Sequence, residues 1–226
     1  MPVEALRGSR TSALIAATAT ALVALPAVYI VIKRLVTRRR AQVQFTSSQF
    51  VLSAGAISFQ FVDGVPKRVL LVHHTRKNEW LLAKGRKDQG EELAAAAIRE
   101  VLEETGYRCH LYPVPRLPTR APVSAALSGI AFQPDIVRIA ENSTEPFAIT
   151  IRPTGPGQVK LIFWYIGCVD LLEGGQGGVH LAPEPGSHMS AEGFGDTGLF
   201  DIDEALRRLT YEGDRDLVRT AVSILS

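Results

Sequence analysis

The chain has 226 residues, enough for one domain with a real core and additional segments. Hydrophobic residues make up 46% of it and charged residues 21%, as in an ordinary globular protein. Cys109 and Cys168 are too few for a disulfide framework and lack the spacing of a metal site, so plain thiols are expected. Residues 1–40 carry seven Lys or Arg against one acid, whereas residues 41–226 carry 18 basic and 22 acidic residues. With its main body mildly acidic, the protein is predicted to have no nucleic-acid partner.

The N-terminal segment combines most of this positive charge with one long apolar run. Residues 13–32 contain no charged side chain, and a helix of that length spans about 30 Å, the thickness of a bilayer core. We therefore predict a leader at 1–12, a transmembrane helix at 13–32 and a basic linker at 33–46. Because basic residues follow the run, we expect a single-pass membrane protein with its main domain in the cytosol. The alternatives are a presequence that is cleaved in a mitochondrion or another organelle, and a disordered leader.

The residues from 47 onward predict one domain that begins with strands. β-prone runs at 50–61, 68–74 and 80–82 predict three strands, with a turn at 63–66 and a loop at 84–90. The segment 91–105 is rich in alanine, leucine and glutamate and predicts a helix that ends at Gly106. A further strand is expected at 108–112.

The second half of the domain is less regular. Proline, serine, threonine and glycine dominate residues 113–158, which predicts an irregular insertion. The apolar run 160–169 predicts a buried strand, residues 173–198 a loose stretch, and two amphipathic patterns predict helices at 202–209 and 214–225. Strands on both sides of one helix, with two helices at the end, indicate a mixed α/β fold spanning 47–226.

One face of the helix predicted at 91–105 is strongly acidic. Because successive helical residues are rotated by about 100°, Glu100, Glu103 and Glu104 fall on one face, opposite the apolar residues. Carboxylates this close repel one another unless a cation neutralises them, and oxygen ligands of this kind suit Mg²⁺ or Mn²⁺. A solvated acidic surface is the alternative interpretation of the three glutamates taken alone.

The residues upstream make the pattern specific. Gly85 is followed after five residues by Glu91 and after seven more by Arg99-Glu100-Val101-Leu102-Glu103-Glu104-Thr105-Gly106. This spacing resembles the Nudix box, Gly-x5-Glu-x7-Arg-Glu-U-x-Glu-Glu-x-Gly-U with U aliphatic, at every fixed position. Only the last aliphatic position departs from it, as Tyr107. The resemblance to the Nudix hydrolase family implies an α/β/α sandwich around a mixed sheet, with the apolar N-terminal helix outside that domain.

The same resemblance implies the residues that bind metal and act in catalysis. Glu100 and Glu104 would be the main ligands of Mg²⁺ or Mn²⁺, joined by Glu103 and by the carbonyl of Gly85. Glu103, as general base, and Arg99 would be the catalytic residues.

Two further positions of the box would support the site, and the family implies its reaction. Glu91 would pair with Arg99, and Gly106 would close the helix. The implied reaction is hydrolysis of a pyrophosphate bond, in a nucleoside diphosphate linked to another group or in a related compound. The alternative is a catalytically silent Nudix domain that serves as a membrane-anchored ligand-binding or scaffold module.

Basic residues flank the start of the box. Lys84, Arg86 and Lys87 surround Gly85 and are expected to bind the negative charges of a substrate. The run Trp-Leu-Leu-Ala-Lys-Gly at 80–85 is similar to the Trp-x-Leu-Pro-Lys-Gly entry of dinucleoside polyphosphate and diphosphoinositol polyphosphate Nudix enzymes, with alanine in place of proline. A polyanionic, phosphate-containing small molecule of one of these classes is therefore the favoured substrate.

Overall fold

The computed structural model describes residues 43–125, 129–130, 132–170 and 194–226. The predicted leader, the apolar run 13–32 and the linker as far as residue 42 lie outside the described residues. Within the described ranges, no helix is both long enough and apolar enough to cross a membrane. The elements of the described fold all lie in one unit, Phe45–Ser226.

Ten strands and three helices make up the described part of the chain. The strands are β1 (Phe50–Val62), β2 (Val65–His74), β3 (Glu79–Leu81), β4 (Lys84–Arg86), β5 (Cys109–Leu111), β6 (Val114–Thr119), β7 (Arg138–Ser143), β8 (Ala148–Gly155), β9 (Gln158–Val169) and β10 (Phe194–Asp201). The helices are α1 (Leu93–Thr105), α2 (Ile202–Arg208) and α3 (Glu212–Leu225).

Eight of these strands form one mixed sheet. The order is β10-β2-β1-β9-β5, and β3 also pairs with β2, β4 with β1 and β8 with β9. The strands β1 and β9 run parallel over Phe50–Phe59, whereas the other pairings of this sheet are antiparallel. The remaining strands, β6 and β7, form a separate two-stranded sheet.

The two faces of the large sheet pack against different helices. Ala54 and Ala56 of β1 belong to a buried cluster with α1. Ile57 and Phe59 of the same strand belong to a second cluster, with α2 and α3. Because successive side chains of a strand point to opposite faces, one strand contributes to both layers. The result is helix on sheet on helix, so the predicted mixed α/β fold is confirmed.

Two connections predicted as turn and loop are partly strand. The β1–β2 turn consists of Asp63 and Gly64, with φ of 51° and 74°, and β2 already begins at Val65. Two successive left-handed residues form the tight hairpin turn that matches the twist of the strands. The loop predicted at 84–90 begins with β4, which pairs with β1. A strand of three residues is too short to show a hydrophobic pattern, so β4 cannot be recognised from the sequence.

The prediction of an irregular insertion at 113–158 is wrong for much of its length, because the segment contains β6, β7 and β8. Val114 and Leu117 of β6 are buried in the same cluster as Val218 of α3. The strand β8 extends the large sheet by pairing with β9. Prolines occur in β6 and β8 because each pairs along one edge only, where a missing N–H is tolerated. Likewise, β10 begins inside the loose stretch predicted at 173–198.

Candidate active site

A cleft of about 730 Å³ lies beside the glutamate face of α1. Its lining comes from α1, β4, β8, β9, the β2–β3 hairpin and the start of α3. We call one side the glutamate wall; its residues are Arg99, Glu100, Glu103 and Glu104. We call another side the basic wall; its residues are Lys84, Arg86, Arg152 and Lys160.

Arg99 is the centre of the glutamate wall. Its Nε and Nη2 donate to the two carboxylate oxygens of Glu91 at 2.8 and 2.9 Å. Its Nη1 donates to Glu100 at 2.9 Å and to Glu103 at 2.8 Å, and Nη2 also donates to the carbonyl of Arg86 at 2.9 Å. These contacts use all five N–H donors of a guanidinium. Arg99 therefore has no donor left for a substrate, and the geometry makes it a positioning residue.

Glu91 ties the loop of the box to the helix. Besides Arg99, it binds the backbone N–H of Asp88, at 2.9 Å. The hydrogen bond from Arg99 is the main reason why the pKa of Glu91 is lowered to about 2, and burial opposes that shift. The same hydrogen bond raises the pKa of Arg99 above its usual range. The pair is thus fully charged near neutral pH, as expected of the supporting role predicted for Glu91.

Two glycines shape this wall. At Gly85, a Cβ atom would lie 1.9 Å from Oε2 of Glu100, a distance that no real contact allows. The absence of a side chain lets the carboxylate of Glu100 approach the backbone of β4, where Glu104 also accepts the N–H of Lys84 at 2.9 Å. Gly106 ends α1 with a φ of 74°, and its N–H donates to the carbonyl of Leu102.

The charge of the glutamate wall fits a hard divalent cation. Glu100 and Glu104 are only 8% and 6% exposed, and Arg99 pairs with three carboxylates, those of Glu91, Glu100 and Glu103. Buried carboxylates require compensating charge, and one arginine does not neutralise three of them. In the part of the chain that the structure describes, no three His, Cys, Asp or Glu side chains converge closely enough to hold a metal ion. The available donors are carboxylate oxygens and the carbonyl of Gly85, which suit Mg²⁺ or Mn²⁺.

Strand register explains the basic wall. Lys84 pairs with Gly55 between β4 and β1, and Arg86 pairs with Ser53. Lys160 pairs with Arg152 between β9 and β8. Residues directly opposite each other across paired strands project to the same face, so each pair adds to one continuous surface.

The floor of the cleft is closely packed where these strands meet. Gly55 of β1 pairs with Lys84 on one side and with Trp164 of β9 on the other. A Cβ at Gly55 would lie 2.5 Å from the carbonyl oxygen of Ala83 and 2.8 Å from the Trp164 ring. Trp164 is only 1% exposed, and its Nε1 donates to Thr150 at 3.0 Å. The tryptophan is therefore a core residue that supports the cleft from below.

Burial alters the protonation of two groups that line the cleft. It lowers the pKa of Lys160, and the nearby charges of Arg152, Lys84 and Arg86 lower it further. It raises the pKa of Asp214, at the start of α3, against the opposing effects of Lys84 and a backbone hydrogen bond from Leu82. A substrate entering the cleft thus meets cations that are already close to one another.

The structure separates the three cations predicted to bind substrate. Lys84 and Arg86 line the cleft, whereas Lys87 is not among the lining residues. The Nζ of Lys87 donates to the carbonyl of Asp88 at 2.7 Å. Because alternate residues of an extended segment point to opposite faces, Lys84 and Arg86 share a direction that Lys87 does not.

Several cleft residues were not predicted from the sequence. They are Thr150, Arg152, Lys160, Tyr211 and Asp214. A lysine at the edge of the apolar run 160–169 was a usable signal for Lys160. Arg152 has no such signal, because the proline, glycine and polar residues around it are typical of a loop.

Comparison with known proteins assigns the chain to a family. A NUDIX domain model matches residues 52–218. An 8-oxo-(d)GTP phosphatase of Mycolicibacterium smegmatis is 41% identical over 56 residues, which cover 21% of this chain and only 17% of that protein.

Among solved structures, an Ap4A hydrolase of C. elegans, a binary complex, has 16% identity and a TM-score of 0.49, and the match covers 77% of this chain and 97% of the other. A possible asymmetric diadenosine tetraphosphate hydrolase of Jonesia denitrificans has 17% identity and a TM-score of 0.47, with 79% and 96% covered. At these values the assignment depends on the domain match, which spans well over half of the chain. The chain belongs to the Nudix family.

Proposed function

We propose that this Nudix-family protein is a metal-dependent hydrolase that cleaves a pyrophosphate bond in a nucleoside diphosphate-linked or polyphosphorylated small molecule. The observation that carries the proposal is the presence of a glutamate wall and a basic wall in one cleft. The first has an excess of carboxylates for a divalent cation, and the second offers cations to a polyanion.

The residues of the glutamate wall have different proposed roles. Glu100, Glu104, Glu103 and the carbonyl of Gly85 would hold Mg²⁺ or Mn²⁺, the metals that Nudix hydrolases generally use. When bound, such an ion draws charge off a phosphoryl oxygen and lowers the pKa of a bound water. The Glu103 side chain is 34% exposed, against 11% for Glu100, so it is the better placed to meet solvent.

In this scheme Glu103 acts as general base. Its carboxylate takes a proton from water, whose oxygen forms a bond to phosphorus while the anhydride P–O bond breaks. The leaving phosphate carries away the electron pair of that bond. Arg99 keeps Glu103 in place by hydrogen bonding at 2.8 Å, without touching the reacting atoms.

Within this reaction class, we favour a dinucleoside polyphosphate or a diphosphoinositol polyphosphate as the substrate. The support is the Lys84-Gly85 entry to the box, together with the number of cations in the cleft. The short match to an 8-oxo-(d)GTP phosphatase adds an oxidised nucleoside triphosphate to the compounds that a test should include.

A substrate panel tests the proposal. The full chain is assayed with Mg²⁺ or Mn²⁺ against diadenosine tetraphosphate, diphosphoinositol polyphosphates, ADP-ribose and 8-oxo-dGTP, with and without EDTA. We expect turnover of at least one member and its loss with EDTA. Tight binding of one compound without turnover of any would instead support the silent ligand-binding module and overturn the proposed reaction.

We propose separately that residues 13–32 anchor the enzyme in a membrane with its catalytic domain in the cytosol. The support is the uncharged run and the basic residues that follow it. Carbonate extraction of the full chain, compared with a chain that begins at Ala41, is the test. Release of the full chain into the supernatant would contradict the anchor and favour the alternative of an organellar presequence.

A further inference from the structure

The basic wall extends beyond the cations that the Nudix box supplies. Lys84 and Arg86 lie on β4 beside Gly85, but Lys160 and Arg152 lie on β9 and β8. The strand β4 is separated from β9 by the width of β1, so Lys160 lies about 10 Å across the sheet from β4 at the usual strand spacing. A pyrophosphate held between Gly85 and the glutamates therefore does not account for Arg152 and Lys160.

Among the described residues, Asp214 and Glu100 are carboxylates that interact with cations of this wall, but only at a distance and without an ion pair. Arg68, Arg207 and Arg219, elsewhere in the fold, each pair with an acidic side chain. Among the ion pairs of the described residues, none involves a side chain of the basic wall.

This gathering of like charges is unfavourable in the absence of an anion. Lys160 is half-buried, and the three other cations of the wall lie close enough to lower its pKa further, with only the smaller opposing effect of Glu100. A phosphate group relieves this repulsion and accepts charge-assisted hydrogen bonds from both Lys160 and Arg152, which face each other in adjacent strands. The pair therefore has the composition of a phosphate site, on strands that lie outside the segment of the Nudix box.

We propose that Arg152 and Lys160 form a second phosphate subsite, which selects substrates carrying a phosphate group in addition to the two joined by the scissile bond. The proposal rests on the proposed function, because it takes hydrolysis to occur at the glutamate wall. It narrows the substrate class to longer polyphosphates and densely phosphorylated molecules. Simple diphosphate-linked compounds such as ADP-ribose leave the subsite empty.

A binding experiment tests the subsite without requiring turnover. Inorganic tripolyphosphate is titrated into the full chain by calorimetry in EDTA, with Arg152→Gln and Lys160→Met compared with the wild type. Each variant is expected to weaken binding about tenfold, since one charged hydrogen bond contributes roughly that factor. The conservative variants Arg152→Lys and Lys160→Arg should recover most of the lost affinity for tripolyphosphate. This recovery would show that the loss comes from the missing charge and not from misfolding.

Lys67→Met is the matched control, because Lys67 is an exposed cation on β2 outside the cleft lining. It should bind tripolyphosphate as the wild type does. Equal affinity in the wild type, Arg152→Gln and Lys160→Met would overturn the subsite. So would an equal loss in Lys67→Met, which would indicate attraction by overall charge.

A kinetic comparison distinguishes failure of the subsite from failure of the proposed function. The ratio of KM for diadenosine tetraphosphate to KM for ADP-ribose should rise about tenfold in Arg152→Gln and Lys160→Met. An active enzyme with an unchanged ratio would overturn the subsite while leaving the proposed function intact. Loss of tripolyphosphate binding in these variants, in a chain that hydrolyses nothing, would support the subsite and overturn the proposed function.

Discussion

The two walls of the cleft are built in opposite ways. In the glutamate wall, Arg99 uses every N–H donor on neighbouring acceptors, and Glu100 is fitted against a glycine with no space to spare. In the basic wall, the charged ends of Arg86, Arg152 and Lys160 form no ion pair among the described residues. One wall is preorganised by its own hydrogen bonds, and the other is left to be completed by a ligand.

This difference agrees with the role that we propose for each wall. Catalysis depends on groups that are already in position when charge develops, so a fixed network reduces reorganisation. Binding of a flexible polyanion benefits from long cationic side chains that adjust to it. Changes in the glutamate wall should therefore affect kcat and stability, whereas changes in the basic wall should affect KM.

The largest effect is expected from Glu103→Gln. Loss of the general base should lower kcat about 10²–10⁴-fold while KM changes little. Because Glu103 is partly exposed, the melting temperature should stay within a few degrees of the wild type. Glu141→Gln, at an exposed glutamate on β7, is the control. A Glu103→Gln enzyme with a near-normal rate would remove this residue from its assigned role.

Gly85→Ala should damage the glutamate wall through sterics alone. The added methyl group would meet the Glu100 carboxylate at 1.9 Å and displace it, at a cost of about 1–3 kcal/mol in the free energy of unfolding. Denaturant unfolding and kcat measure the two consequences. Gly155→Ala, where the nearest atom is the end of the Gln158 side chain at 3.4 Å, should cost less than about 0.5 kcal/mol. Equal stability of the two variants would contradict the close fit.

Glu91→Gln should destabilise the fold in a pH-dependent way. Removing the carboxylate that binds Arg99 should lower the free energy of unfolding by about 1–2 kcal/mol near pH 7. The pKa of Glu91 falls from 4.5 to about 2 on folding, so its contribution is fully present above pH 4.5. The contribution is lost as the pH falls through that range toward 2, where the wild type and the variant should converge. A constant difference between pH 7 and pH 2 would show that the ion pair is not its source.

The smallest effect distinguishes neighbouring lysines at the edge of the basic wall. Lys84→Met should lower kcat/KM about tenfold, mainly through KM, because Lys84 lines the cleft. Lys87→Met should lower it less than about threefold, because its ammonium binds the Asp88 carbonyl instead. Steady-state kinetics on the preferred substrate measures both. An equal effect would restore the sequence-based prediction that Lys87 binds substrate.

The glutamate wall could be predicted from sequence because it is local. Its residues lie within a contiguous loop and helix, and helical periodicity alone brings Glu100, Glu103 and Glu104 to one face. Pairing of Arg99 with Glu103 also follows from their spacing of four residues. The contact of Arg99 with the carbonyl of Arg86 cannot be predicted from sequence spacing, because it depends on how the loop folds back onto the helix.

The basic wall could be predicted only in the part that belongs to the same segment. Lys84 and Arg86 were expected from their positions beside Gly85, whereas Arg152 was hidden in a stretch whose prolines and polar residues masked a strand. An edge strand has one face and one edge exposed to solvent, so its composition resembles that of a loop. The sequence also did not show that Lys87 lies outside the cleft lining, because the extended conformation of residues 84–86 was not evident.

The sequence by itself determined the family and predicted the reaction class and the metal-binding helix, because these depend on spacing within one continuous segment. The tertiary structure decided which cations share the cleft, because that depends on the register between β4, β1, β9 and β8, whose residues are up to about 100 positions apart. It also decided that Arg99 is a positioning residue, since only the folded chain shows that all of its donors are occupied. Local periodicity thus specified the glutamate face of α1, and long-range strand pairing specified what surrounds it.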